Sequence, residues 1–322
     1  MKKAVIIGRD LSLGYPKGDT QKLILEGLDF ELNAGELTCL LGPNGVGKST
    51  LIKGILGDLP AWKGELTIQG TNVSNIPNLE LAKKLSVVLT EPTFPGNMTV
   101  SQLVSLGRTP HTGWSGKLDK TDKEQVEKAL DLTKIGYLKD ERITEISDGQ
   151  RQKAMIARAL AQDGEIMILD EPTAHLDLVN RYEIMHLLQE ICHQEQKAIL
   201  VVTHDLEIAL ETADRFWLLN CGIPLISGLP EELVLSGKIN SLLPGDKFHF
   251  DPEKGKIEKK ALPPSWEIIG DPSSVFWIQK ALLKRQIPSL DQVIEVKNTP
   301  FQIKFNGKIF DSLESFFENL KI

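Results

Sequence analysis

The segment Gly42-Pro43-Asn44-Gly45-Val46-Gly47-Lys48-Ser49-Thr50 constrains this chain more than any other. The apolar run 37–41 before it reads as a short buried strand that Gly42 breaks, so residues 37–56 describe a strand, a loop and a helix. The spacing is G-x-x-x-x-G-K-[ST] in the setting that its mechanism requires. Glycines let backbone amides turn inward around a polyphosphate, the helix N-terminus adds a partial positive charge, and Lys48 supplies a full one. Gly42, Asn44, Gly45, Gly47, Lys48, Ser49 and Thr50 are thus candidate nucleotide contacts, with Ser49 suited to Mg²⁺. Phosphate loops serve many kinds of NTPase, so the reaction class must come from the rest of the chain.

At 322 residues there is room for about two domains. With 41% apolar and 25% charged residues the chain is too apolar for disorder. The longest apolar runs, such as 198–202 and 216–219, fall far short of the ~20 residues that span a bilayer. The N-terminus has a basic start but reaches Arg9-Asp10 before a signal-peptide core could form, and it reads as a first strand. Cys39, Cys192 and Cys221 are odd in number, widely spaced and without ligand-like spacing, which fits a reducing cytoplasm. A net charge of −7 argues against a nucleic-acid partner.

Residues 1–90 read as strand-rich around the loop, and 91–160 as mainly helical, with helices expected over 100–106 and 123–133. Two more buried strands, 165–170 and 198–203, flank the amphipathic stretch 179–192, which implies parallel pairing in an α/β fold. The first of these runs ends in Asp170-Glu171, at the C-terminal edge where doubly wound sheets bind ligands. Asp170 suits the shell of a magnesium ion, and Glu171 suits polarising an attacking water.

Between loop and acids lies Ile146-Ser147-Asp148-Gly149-Gln150-Arg151-Gln152, which resembles the signature of the ABC ATPases, usually Leu-Ser-Gly-Gly-Gln. The resemblance covers residues 1 to about 240 and implies a P-loop NTPase (RecA-like) core with an ABC helical subdomain at about 91–160. It implies ATP and Mg²⁺ as ligands, and it sets Ser147, Gly149 and Gln150 against the nucleotide of a second copy. Asp148 replaces the first signature glycine, and it is expected to cap the following helix rather than face phosphate. Tyr15 matches the aromatic that stacks on adenine, with a plain surface tyrosine as its alternative. Ala174-His175-Leu176-Asp177 resembles the D-loop, which communicates across the dimer through Asp177, and His204 matches the switch histidine at the γ-phosphate. Members carry a glutamine after the strand at 85–89, where this chain has Thr90 followed by Glu91. Threonine is two carbons shorter and could reach the metal only through water or a backbone shift, so either Glu91 substitutes or the coupling contact is altered.

Within the family, Leu106-Gly107-Arg108-Thr109-Pro110-His111, the run 159–162 and residues 171–177 look like the importer ATPases for iron-siderophore, haem and cobalamin complexes. That implies a homodimer packed head to tail, bound to transmembrane permeases on the cytoplasmic side of the inner membrane, and served indirectly by a substrate-binding protein. Residues 94–112 would form much of the groove for a permease helix. The rivals are a soluble ABC ATPase acting on nucleic acid or ribosome and a catalytically idle regulatory module. The nucleotide-binding domain is expected over 1–243, and a small α+β domain over 244–322, where ten of the nineteen aromatics lie. That second domain is expected to be ferredoxin-like, with its first helix on an antiparallel sheet, and to regulate, or else only to add stability.

Overall fold

The computed structural model describes residues 3–17, 20–89, 97–113, 116–243, 245, 247–259, 266–288, 290 and 292–320. The chain folds as two compact units, Met1–Glu258 and Lys259–Ile322.

In the first unit, β1 (Ala4–Lys17) and β2 (Thr20–Asn33) pair antiparallel along their length. β3 (Leu37–Leu41) is buried at every residue and leads through the glycine-rich loop into α1 (Lys48–Ile55). β4 (Lys63–Ile68) and β5 (Thr71–Asn72) complete a four-stranded sheet in the order β2-β1-β4-β5. Leu11, Leu13, Leu28 and Phe30 from this sheet pack on Leu51 and Ile55 of α1, so the sheet supports the loop from behind.

The second sheet carries the glycine-rich loop at the end of β3. After α2 (Asn78–Lys84) come β6 (Leu85–Val88), then the helical layer α3 (Val100–Ser105), α4 (Lys120–Leu132) and α5 (Asp148–Ala161). β7 (Ile166–Asp170), α6 (Leu178–Glu195), β8 (Ala198–Val202), α7 (Leu206–Thr212), β9 (Arg215–Leu218), β10 (Ile226–Gly228) and α8 (Pro230–Leu235) follow. The six strands lie in the order β10-β9-β3-β8-β7-β6, parallel except for β10. Both faces are covered, which is why β3, β7 and β8 read as continuous apolar runs instead of alternating.

The Leu106–His111 segment holds the helical layer together. Arg108 is buried; its Nε donates to Asp122 Oδ1 of α4 at 2.9 Å and its Nη1 to the Ala161 carbonyl of α5 at 2.8 Å. A β-carbon at Gly107 would lie 2.1 Å from the Arg158 carbonyl, so only glycine lets this turn approach α5.

The first unit extends past the boundary expected at 243/244. β11 (Phe248–Asp251) and β12 (Lys256–Lys259) form a hairpin whose Phe250 is buried in the main core and donates its N–H to Asn240 Oδ1 at 2.8 Å. That burial draws the segment into the core of the first unit despite the Pro-Gly break before it.

The second unit runs β13 (Ile268–Gly270), α9 (Pro272–Lys284), β14 (Ile294–Asn298), β15 (Phe301–Phe305), β16 (Lys308–Phe310) and α10 (Leu313–Asn319). Its core includes Ile278, Leu282, Ile294, Ile303, Phe305 and Phe316. The expected antiparallel, ferredoxin-like arrangement is corrected here. β13 and β14 pair directly in parallel and the order is β13-β14-β15-β16, whereas the split βαβ unit of a ferredoxin-like fold places another strand between its parallel pair.

Replacing Arg108 by Ala removes the charged partner of the buried Asp122 carboxylate, leaving it the Asp119 N–H at 3.0 Å, and the donor to the Ala161 carbonyl. Denaturant unfolding of the full chain is expected to show a loss of about 3–5 kcal/mol, the range for breaking a buried ion pair from one side.

Candidate nucleotide site

The site stands where β3, β8 and β7 end side by side. Gly45 and Gly47 take left-handed backbone angles, φ 78° and 114°, which other residues adopt at a cost. Sterics add to this. A β-carbon at Gly47 would lie 2.6 Å from Leu25 Cδ2, and one at Gly42 would lie 2.3 Å from the Leu219 carbonyl oxygen.

The loop bounds a cavity of about 420 Å³ lined by Asn44, Gly45, Gly47, Lys48, Ser49 and Thr50, with Asp170 and Glu171 from the end of β7 also on its wall. The Lys48 ammonium folds back onto the loop, donating to the Gly42 carbonyl at 2.6 Å and to that of Pro43 at 3.1 Å. Burial draws its pKa below the ordinary lysine range, opposed by the charges of Glu171 and Asp170. Burial and then the neighbouring Glu171 lift Asp170 above the usual carboxylate range, while Lys48 works the other way.

Glu171 follows β7 with φ 50°, a strained angle for a side-chain-bearing residue, and its N–H donates to the Val202 carbonyl of β8 at 2.9 Å. That turn aims the carboxylate at the next strand end. Glu171 Oε2 lies 2.7 Å from His204 Nδ1, with the carboxylate largely sheltered and the imidazole 68% exposed. The sequence suggested both residues separately; their hydrogen bond, across 33 positions, is visible only in the fold.

Tyr15 is partly buried on β1 and does not line this cavity; Lys53 of α1 stands over its ring at 5.5 Å from the centroid. Ser147, Gly149 and Gln150 open α5, and none of them lines the cavity either. Ser147 accepts the Gln150 N–H at 3.3 Å, and Gln150 Oε1 accepts that of Ser147 at 2.9 Å, a reciprocal capping box. The cap is therefore Ser147, which corrects the expectation for Asp148. Asp148 is the first residue inside the helix and pairs with Arg151 at 2.8 Å, because its side chain lies one position too late to reach the unpaired amides. Asp177 caps α6, accepting the Asn180 N–H at 2.9 Å and its Nδ2 at 2.7 Å; these bonds hold its carboxyl below the usual range. Asn180 carried no signal that sequence reasoning could use. Thr90 and Glu91 lie outside the described residues.

Away from the site, Cys192, His193 and Asp214 come within 4.8 Å of one another. Their donors are engaged: the Cys192 thiol donates to the Lys197 carbonyl, His193 Nε2 meets Asp214 at 3.0 Å, and Asp214 accepts the Leu37 N–H at 2.8 Å.

Comparison with known proteins gives the family. The ABC transporter family profile matches residues 25–174. The uncharacterized ABC transporter ATP-binding protein MJ0873 of Methanocaldococcus jannaschii is 38% identical over 254 residues, 79% of this chain and 86% of that protein. The ferric enterobactin transport ATP-binding protein FepC of Escherichia coli is 34% identical over 73% of this chain and 85% of its own length. Among solved structures, cbiO1 of Clostridium perfringens, part of the ABC transporter complex cbiONQ, matches with a TM-score of 0.64 at 30% identity, covering 76% of this chain and 97% of that one. A phosphate loop, a strand-end carboxylate pair and a helix-opening signature on this fold, together with those relatives, identify the chain as a member of the ABC transporter ATP-binding proteins and an ATPase of that family.

Proposed function

We propose that this chain is the ATP-hydrolysing subunit of an importer for a metal chelate of the iron-siderophore, haem or cobalamin kind. It works as a head-to-tail pair seated on transmembrane permeases at the cytoplasmic face. The observation that carries the enzymatic half is the convergence of Lys48, Asp170 and Glu171 on one glycine-walled cavity, with His204 hydrogen-bonded to Glu171. The relative named for ferric enterobactin transport supports the cargo class. Among the described residues no helix is long and apolar enough to cross a membrane, so a transport pathway would come from partner chains.

The donor set fits Mg-ATP. Loop amides and Lys48 suit the phosphates, but two carboxylates facing the same space would repel them unless a divalent cation lies between. Ser49 and Asp170 are the groups to hold Mg²⁺, which supplies charge neutralisation at the phosphates. Thr90 remains a proposed contributor to that shell. Lys48 exchanges the Gly42 and Pro43 carbonyls for phosphate oxygens. Glu171 receives the proton of the attacking water, and its bond to His204 Nδ1 fixes the carboxylate's direction. Ser147, Gly149, Gln150 and Asp177 serve the partner's nucleotide, and Tyr15 serves the adenine. For the second unit, which has its own core and carries none of the catalytic motifs, we propose a regulatory role.

Three outcomes test this reading. Glu171→Gln is expected to lower ATP turnover by ~10²–10⁴ while keeping nucleotide binding, so that ATP traps a dimer on gel filtration; near-normal turnover removes Glu171 from the role. Asp170→Asn is expected to abolish hydrolysis yet raise the thermal midpoint of the nucleotide-free chain at neutral pH. A carboxyl whose folded pKa is raised loses stability as pH rises through its titration, so the gain from the amide should vanish at pH low enough to protonate Asp170 in both states. A chain ending at Glu258 is expected to keep basal hydrolysis and lose normal restraint of transport in the reconstituted complex; unchanged transport removes the regulatory role.

A further inference from the structure

Gly149 is the second residue of α5 and is buried. Its backbone is ordinary helix, absent from the residues with positive φ, so no conformational requirement explains a glycine there. Glycine is also a poorer helix former than alanine. The explanation lies in the same chain: a β-carbon at position 149 would lie 2.3 Å from Asn180 Oδ1 and 2.7 Å from its Cγ. Asn180 is the third residue of α6, and it cannot turn aside freely. Its backbone N–H and its Nδ2 are both given to Asp177, one to each carboxylate oxygen, at 2.9 and 2.7 Å. One turn further along, Lys153 of α5 meets Glu183 of α6 at 2.8 Å.

We propose that Asn180 is a positioning residue that ties the D-loop carboxylate Asp177 to the start of the signature helix at Gly149, so that the two segments facing a partner copy move as one body. This rests on the head-to-tail reading above, in which both segments meet the partner's nucleotide. Asn180 itself touches no reacting atom. Its amide grips Asp177 from one side and fills the space over Gly149 from the other, so a displacement of the signature turn is passed to Asp177 directly. Glycine at 149 is then needed for Asn180 at least as much as for a phosphate.

The two explanations of Gly149 separate in a double-mutant cycle on the full-length chain, using Gly149→Ala, Asn180→Ala and the double variant. The readouts are kcat and KM for ATP and the thermal midpoint without nucleotide. Gly149→Ala is expected to lower kcat by about tenfold or more, and Asn180→Ala by a few-fold with KM nearly unchanged. In the double variant the methyl has room, so its kcat should return to within about threefold of Asn180→Ala alone. A double variant as poor as the product of the two single losses overturns the proposal and assigns Gly149 to the nucleotide. Normal kcat in Asn180→Ala also overturns it. So does a cycle that is non-additive in thermal midpoint but additive in kcat, since that marks packing without positioning. The head-to-tail reading is tested apart from this by the ATP-trapped dimer of Glu171→Gln; if no dimer forms, the coupling measured between Gly149 and Asn180 still stands.

Discussion

Everything at the site depends on the register of three parallel strands. Leu40 of β3 and Asp170 of β7 both pair with Val202 of β8, so the three strands stop in one row. Their next residues therefore emerge together: Gly42 and the loop, then Thr203 and His204, then Glu171. A parallel ladder cannot slip by one residue here without turning every buried side chain to the opposite face. The burial of all of β3 and β8 and most of β7 thus sets the catalytic geometry as well as stability. The Glu171 N–H bond to the Val202 carbonyl extends the ladder one step past the strand and brings the carboxylate to His204.

The same row concentrates groups that would be stable apart. Asp170 is held above its usual pKa range and Lys48 below its own, Glu171 has a left-handed backbone, and the loop needs glycines at φ 78° and 114°. Each is a local cost, and together they describe a pocket organised for a ligand carrying the missing charges. Lys48 resting on two loop carbonyls keeps its charge satisfied meanwhile, and it can be released because a polyphosphate offers stronger acceptors.

How much of this was legible in the sequence follows from the range of the interaction concerned. The phosphate loop, the acid pair and the signature are local patterns, and the strands around them are apolar runs whose meaning does not depend on distant residues. The helices expected at 100–106 and 123–133 appear as α3 and α4 for the same reason. What was not legible is set by partners far along the chain. The Arg108–Asp122 pair hides a charge that reads as surface, and Phe250 in the core moves the unit boundary to 258. The order of β13 to β16 depends on pairing, which elements alone do not reveal. The cap of α5 was missed by a single position, since Ser147 and Asp148 are both good caps by type and only the helix phase chooses between them.

α6 joins these pieces mechanically. It is 18 residues long, which makes it about 27 Å at 1.5 Å per residue, and both ends are fastened. At its start Asn180, held by Asp177, stands against the signature turn, and Glu183 pairs with α5. Near its end, Gln189 donates to the Thr212 carbonyl of α7 at 2.9 Å, and His193 meets Asp214, which in turn accepts the N–H of Leu37 at the head of β3. The far end of the helix is thus tied to the strand that leads into the phosphate loop. Surface ion pairs to α6, from Lys128 of α4 to Glu195 and from Lys134 in the turn after α4 to Glu190, add little energy individually but lie along the same helix. A helix pinned at both ends transmits displacement along its axis better than it bends. A shift of the helical layer against the parallel sheet must therefore either carry α6 with it or break the Asn180 contact, and that contact is the point at which the two motions would separate.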